Sequence, residues 1–265
     1  MARLRFTILG CGSSGGVPRI GGHWGECDPD NPRNRRKRCS LLVERIDGEA
    51  ATRVLIDTSP DMREQLIDAN VATLDAVVYT HSHADHMHGL DDIRQVVFNT
   101  RTIMPVWADG PTQESLFSRF GYAFVQPEGS SYPPICEMHT IRGHFSISGP
   151  GGAIDFTPIR VAHGSIDVLG FRIGGLAYLP DVSDIYAAAW EQLYGLDILI
   201  IDALRRTPHP THAHLDLALE WIERAKPTRA VLTNMHIDLD YAIVEGETPG
   251  HVCAAYDGMV LELGA

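Results

Sequence analysis

Apolar positions along the chain follow two alternating periodicities. Short Val-, Ile- and Leu-rich runs bounded by turn residues predict strands at Leu4–Leu9, Ser40–Glu44, Arg53–Asp57, Ala76–Thr80 and Ile103–Trp107. Five more are predicted at Ile154–Val161, Gly170–Ile173, Ala177–Leu179, Ile198–Asp202 and Ala230–Thr233. Helical spacing predicts Pro60–Ala69, with Ser59 as N-cap and Pro60 in the first position, then Leu90–Asn99, Thr112–Phe120, Asp184–Leu193 and Leu215–Ala225. In the last, Leu215, Leu219, Ile222 and Lys226 recur at helical spacing, with Ala218 and Ala225 filling the same face. Mixed strands and helices of this kind point to a layered α/β fold. No linker, low-complexity segment or short repeat interrupts it, so a single domain over residues 1–265 is expected. The segment Gly121–Gly152, rich in Pro, Gly and Ser, reads as an insertion or lid.

Several predicted strands run into a histidine or an aspartate. AVVYT leads to His81, FTPIRVA to His163, GLAYLP to Asp181 and RAVLTNM to His236, while RVLI ends at Asp57 and DILII at Asp202. If neighbouring strands place these ends at one edge, the side chains converge on a rigid scaffold.

Composition narrows the class. Hydrophobic residues at 44% and charged residues at 21% are ordinary for a globular chain and argue against disorder. Apolar runs such as Asp197–Ala203 are far shorter than the roughly 20 residues a bilayer span needs. The N-terminus carries no secretory pattern, and five cysteines without a C-x-x-C pair suit a reduced compartment, so a cytoplasmic protein is expected, with no membrane partner. A net charge of -12 would repel nucleic acid. Thirteen histidines direct attention to where they cluster.

The densest cluster is Thr80-His81-Ser82-His83-Ala84-Asp85-His86. Two histidines two residues apart on an extended segment point to the same side and can grip one metal, and Asp85 and His86 follow where the chain turns towards a helix. Nitrogen and carboxylate donors together suit zinc, manganese or iron better than calcium.

The H-x-H-x-D-H pattern at His81, His83, Asp85 and His86 resembles that of the metallo-β-lactamase superfamily, which implies a four-layer αββα sandwich. The glycine loop Gly10–Gly16, the strand end Leu55-Ile56-Asp57, Leu179-Pro180-Asp181, the His-x-Asp-Leu at His214–Leu217 and Tyr256-Asp257-Gly258-Met259 are similar to the branch holding ribonuclease Z and phosphoribosyl cyclic phosphodiesterases. Carried over by position, the resemblance implies two divalent ions, zinc or manganese. His81, His83 and His163 would hold the first, Asp85, His86 and His236 the second, with Asp181 bridging. Asp85 is also counted among the catalytic groups, and Asp57 is expected to orient a ligating histidine. In the resembling families a histidine follows Leu-Thr; here that position is Asn234, and His236 lies two residues on. His23 and Cys27 stand where the phosphonate-pathway relatives carry a cysteine-rich structural zinc loop.

His214 resembles the histidine that such enzymes place near the scissile phosphate, where it serves as catalytic acid and substrate contact; Ser13, in the glycine loop, is a second substrate-binding candidate. The basic run Arg33 to Arg38 reads as a solvated loop rather than as a phosphate site. The function expected is a dinuclear metal-dependent phosphodiesterase that uses activated water on a small phosphorylated, cyclic-phosphate or nucleotide substrate. Homodimerisation is a family-based expectation. The rivals are thioester or lactam hydrolysis on the same fold, tRNA 3′ processing, and a non-catalytic carrier resembling pyrroloquinoline quinone biosynthesis protein B.

Overall fold

A computed structural model describes residues 2–264. The chain is organised as two compact units, one made of its two ends with Ser40–Asp155, the other of Gly10–Cys39 with Phe156–Met259. The strands form two seven-stranded mixed sheets accompanied by helices, so the α/β class expected from the sequence is the one found.

The first sheet runs in the order Met259–Gly264, Arg3–Gly10, Ser40–Asp47, Ala50–Ile56, Ala76–Val78, Met104–Ala108, Cys136–Thr140. Ser40–Asp47 and Ala50–Ile56 make an antiparallel hairpin, whose turn uses Gly48 at φ 61°. From Ala50–Ile56 onwards the pairing is parallel, with Ile56 opposite Val78, so neighbouring strands finish together. Parallel strands covered on both faces read as continuous apolar runs, as Ala76–Val78 does with all three residues buried.

The second sheet has the order Val252–Ala254, Arg229–Thr233, Ile198–Asp202, Leu176–Leu179, Ile166–Ile173, Ile154–His163, Phe145–Ile147. Its central strands are parallel, with Leu179 opposite Ile201 and Asp202 opposite Thr233. Equal register puts Asp181, Asp202 and Asn234 at the same carboxyl edge, where α/β sheets carry their sites. Helix Leu215–Ala225 crosses between two of these strands and buries Leu215, Ala218, Trp221, Ile222 and Ala225; Trp221 joins the predicted face, while Leu219 is only half-buried and Lys226 is the C-cap residue.

Four expectations need correction. Helix Met62–Asp68 starts later than predicted: Asp61 is its N-cap, and the Ser59 hydroxyl accepts from Asp61 N at 3.1 Å instead of capping the helix. The segment Asp184–Leu193 holds a 3₁₀ turn over Ala187–Leu193 rather than an α-helix. Gly121–Gly152 is no simple insertion, because it supplies strand Cys136–Thr140, paired in parallel with Met104–Ala108. Of the basic run, Arg36 is buried and Arg33 lies 4.8 and 4.7 Å from the ring centroids of Tyr241 and Tyr256, so packing holds what the sequence suggested was solvated.

Candidate metal centre

In the first unit the strand-end Asp57 sets up the donors. It is buried and takes a left-handed backbone, φ 63°, a conformation that carboxamide and carboxylate residues tolerate better than most. Its Oδ1 accepts from Thr80 N at 2.8 Å, and its Oδ2 accepts from the Thr80 hydroxyl at 2.7 Å and from His86 Nδ1 at 2.7 Å. The Thr80 hydroxyl has one proton, which goes to Asp57, so Thr80 Oγ1 must accept from His81 Nδ1, 2.9 Å away. Both His81 and His86 thereby carry their proton on Nδ1 and keep the lone pair on Nε2, the nitrogen that binds a metal. Burial pushes the Asp57 carboxyl up, opposed by His86 and Thr80.

The rings of His81 and His83 lie 4.6 Å apart and those of His81 and His86 4.3 Å apart. His81 and His83 present donor atoms within 4.8 Å of each other. Asp85 Oδ2 is 3.7 Å from His86 Nε2. The short helix Ala84–Met87 carries Asp85 and His86, with His83 as its N-cap. All four residues of the predicted pattern are brought together.

In the second unit His163 ends strand Ile154–His163, and its Nδ1 donates to Thr211 O at 2.5 Å. A carbonyl only accepts, so the lone pair again sits on Nε2, which is 3.6 Å from Asp181 Oδ2. Asp181 caps no helix; its Oδ1 accepts from Asn234 Nδ2 at 3.1 Å, and the same amide donates to Asp202 Oδ1 at 3.1 Å. Asp202 Oδ2 accepts from Val182 N at 3.1 Å and from His212 Nδ1 at 2.8 Å. Burial pushes the Asp202 carboxyl up to about 7 against the pull of His212. His212 packs edge-on against His163 at 4.5 Å. The sequence patterns do not single out His212, which lies two residues before His214 and ten after the strand end at Asp202.

The remaining candidates are placed differently. His236 donates from Nδ1 to Asp238 Oδ1 at 3.2 Å, and its Nε2 contacts the Arg19 guanidinium. Burial and then the Arg19 charge hold His236 below the ordinary imidazole value. His209 is lowered too, first by burial and then by His212 and Arg205, so this edge gathers positive charge in an acidic protein. The carbonyl of His236 accepts from buried Arg36 at 3.3 Å, and Leu239 O accepts from the same guanidinium at 2.7 Å. His214 is the N-cap residue of helix Leu215–Ala225 and makes no side-chain cap bond. Ser13 is buried, with its N–H donating to Met235 O at 3.3 Å, next to Asn234 and His236 in sequence. Cys27 packs on Val17 and Ile237 with its sulfur 3.9 Å from Arg36 Nη1, while His23 is exposed. A cation already faces that sulfur, which weighs against a structural metal there.

Comparison with known proteins fits this geometry. A family model described as "Beta-lactamase superfamily domain" matches residues 52–237. The chain belongs to the beta-lactamase superfamily. A solved diphosphatase from the PhnP family is 39% identical and superposes with a TM-score of 0.86, covering 99% of this chain and 98% of that one. Zn(2+)-bound PqqB from Methylobacterium extorquens, at 20% identity and TM-score 0.73 over 98% of this chain and 100% of its own, shares the fold. An octanoyltransferase of Porphyromonas gingivalis (strain ATCC BAA-308 / W83) is 34% identical over 263 residues, 97% of this chain but 51% of that protein. The chain thus spans about half the length of the curated relative it matches. The superfamily member described here has the metallo-β-lactamase hydrolase fold, and its clustered His and Asp donors are of the kind that takes divalent metals. No helix among the described residues is long and apolar enough to cross a membrane.

Proposed function

We propose that the protein is a metal-dependent phosphoric-ester hydrolase acting on a small phosphorylated molecule. The observation that carries this reading is the proton arrangement: Asp57, Thr80 and Thr211 O take the Nδ1 protons of His86, His81 and His163, leaving each Nε2 basic. Divalent ions would be held by His81, His83, Asp85 and His86 in the first unit and by His163 and Asp181 in the second. When bound, such ions supply an ionised water near neutral pH and neutralise charge on a phosphoryl group.

The chain's own residues do the rest. Arg19 and Arg205 give the His236 edge a positive field that suits an anionic substrate. His214, half-buried at the start of its helix, would donate a proton to a departing alcohol. The likeness to a PhnP-family diphosphatase supports phosphorus chemistry, whether on a diester or a diphosphate. A second reading, acyl-thioester hydrolysis, is favoured by the octanoyltransferase match, which covers only half of that protein.

The experiment is a rate comparison on bis(4-nitrophenyl) phosphate, a nucleoside diphosphate ester and an octanoyl thioester, with zinc or manganese supplied. Turnover of a phosphorus substrate is expected. Thioester cleavage with no phosphorus activity would select the second reading.

A further inference from the structure

We propose, resting on the phosphoric-ester reading, that Arg205, His209 and Arg19 form a cradle for a second phosphate group of the substrate, separate from the phosphorus that is attacked. His209 carries the opposite tautomer to the prospective metal ligands. Its Nδ1 accepts from Thr211 N at 3.3 Å and lies 3.2 Å from the Thr211 hydroxyl. A backbone N–H only donates, so the Nδ1 lone pair is taken and the ring proton sits on Nε2. His209 thus presents an N–H, which suits an anion, where His81, His86 and His163 keep the Nε2 lone pair that suits a metal. Burial, then His212, Arg205 and His236, hold its ring below the ordinary imidazole value, so this neutral form persists at neutral pH.

Arg205 is fixed beside it. Its Nε donates to Thr207 O at 3.0 Å and its Nη2 to Pro208 O at 2.6 Å, which folds the guanidinium over the turn leading into His209. The remaining N–H groups of that planar fork match the geometry of phosphate oxygens. Residues 204–206 run beside 236–238, with His236 N donating to Leu204 O at 2.8 Å and Arg206 N to Asp238 Oδ2 at 3.3 Å. Arg205 is thereby brought to the edge where the exposed Arg19 reaches His236 Nε2. Asp238 faces the same edge and accepts from His236 Nδ1 at 3.2 Å, while Arg206 pairs with Glu247 at 2.8 Å. Two guanidinium charges outweigh the one carboxylate.

Thr211 joins the cradle to the metal donors. Its N–H and hydroxyl go to His209, and its carbonyl accepts from His163 Nδ1 at 2.5 Å. An anion at His209 is linked through a single residue to a prospective metal ligand, a span that suits two phosphorus groups on one small scaffold. The substrate class is a small molecule that bears a phosphate monoester besides the phosphoric ester that is cleaved.

Two measurements on the full chain test this. Inorganic phosphate would be titrated into zinc-loaded protein freed of excess metal while imidazole ¹⁵N shifts are followed, for wild type, Arg205→Ala and Arg205→Lys. Phosphate is expected to move His209 Nε2, with roughly tenfold weaker binding in Arg205→Ala and partial recovery in Arg205→Lys. Kinetics then compare thymidine 5′-(4-nitrophenyl phosphate) with the same ester bearing a 3′-phosphate. The added phosphate is expected to lower KM by roughly tenfold in the wild type, a gain that Arg205→Ala loses. A His209 resonance indifferent to phosphate, equal phosphate affinity in Arg205→Ala, or no gain in KM from the 3′-phosphate overturns the inference. If neither ester is turned over, the phosphoric-ester reading fails, whereas the cradle itself stands or falls on the phosphate titration.

Discussion

Asp57 Oδ2 accepts a hydrogen bond from His86 Nδ1 at 2.7 Å, with both side chains fully buried. Through Thr80 the same carboxylate also fixes His81. One residue therefore orients two prospective ligands. Asp57→Asn keeps the left-handed backbone but presents an N–H where an acceptor is needed, and is expected to weaken zinc binding by roughly 10–100-fold. Competition with a chromogenic zinc chelator reads this directly, and an unchanged affinity would remove Asp57 from the account.

Arg19 tests the charge of the substrate. If its guanidinium meets a phosphoryl oxygen, Arg19→Ala should raise KM for a phosphorus substrate by about tenfold, the value of one charge-assisted hydrogen bond of ~1.5 kcal/mol. A neutral ester should be indifferent to the change. Steady-state kinetics on the two substrates separate these outcomes.

Much of this was legible beforehand, and the exceptions have physical causes. The pattern at His81, His83, Asp85 and His86 is local, so four donors on one turn were readable without a fold. Asp181 and His163 end strands and followed from the rule that strand ends converge. His212 follows no strand. It was invisible because its significance comes from Asp202, ten residues earlier, across a loop. The basic run was misread because burial of Arg36 depends on carbonyls at His236 and Leu239, 200 or more residues away. Strand Cys136–Thr140 was missed because Glu, His and Thr at a sheet edge break the apolar signal.

Gly89 follows the turn that carries Asp85 and His86 at close quarters. A Cβ built there would lie 2.0 Å from Ser59 O and 2.9 Å from Met62 Cβ. Its N–H donates to Thr58 O at 2.9 Å, so the segment cannot retreat without losing that bond. Gly89→Ala is expected to cost about 1–3 kcal/mol of stability by overpacking, read as a lower urea midpoint with unchanged slope.

Asp257 gives a pH signature. Its oxygens accept from Lys37 N at 2.8 Å and Cys11 N at 3.2 Å, yet burial outweighs these bonds and pushes its carboxyl up to about 7. The folded state then binds more protons than the unfolded state between the ordinary carboxylate value of 3.8 and about 7. Stability from this group is present at the acid end of that window and is lost as pH rises through about 7. Melting temperatures across the window should show a falling contribution that Asp257→Asn removes; identical slopes in both proteins would contradict it.

The most direct test is metal dependence itself. The protein would be stripped with a chelator, then titrated with zinc or manganese while bound metal and phosphoester hydrolysis are followed together. Activity should vanish on stripping and return with binding of two ions per chain. Undiminished hydrolysis by the stripped protein, or no binding of either metal, would contradict the account.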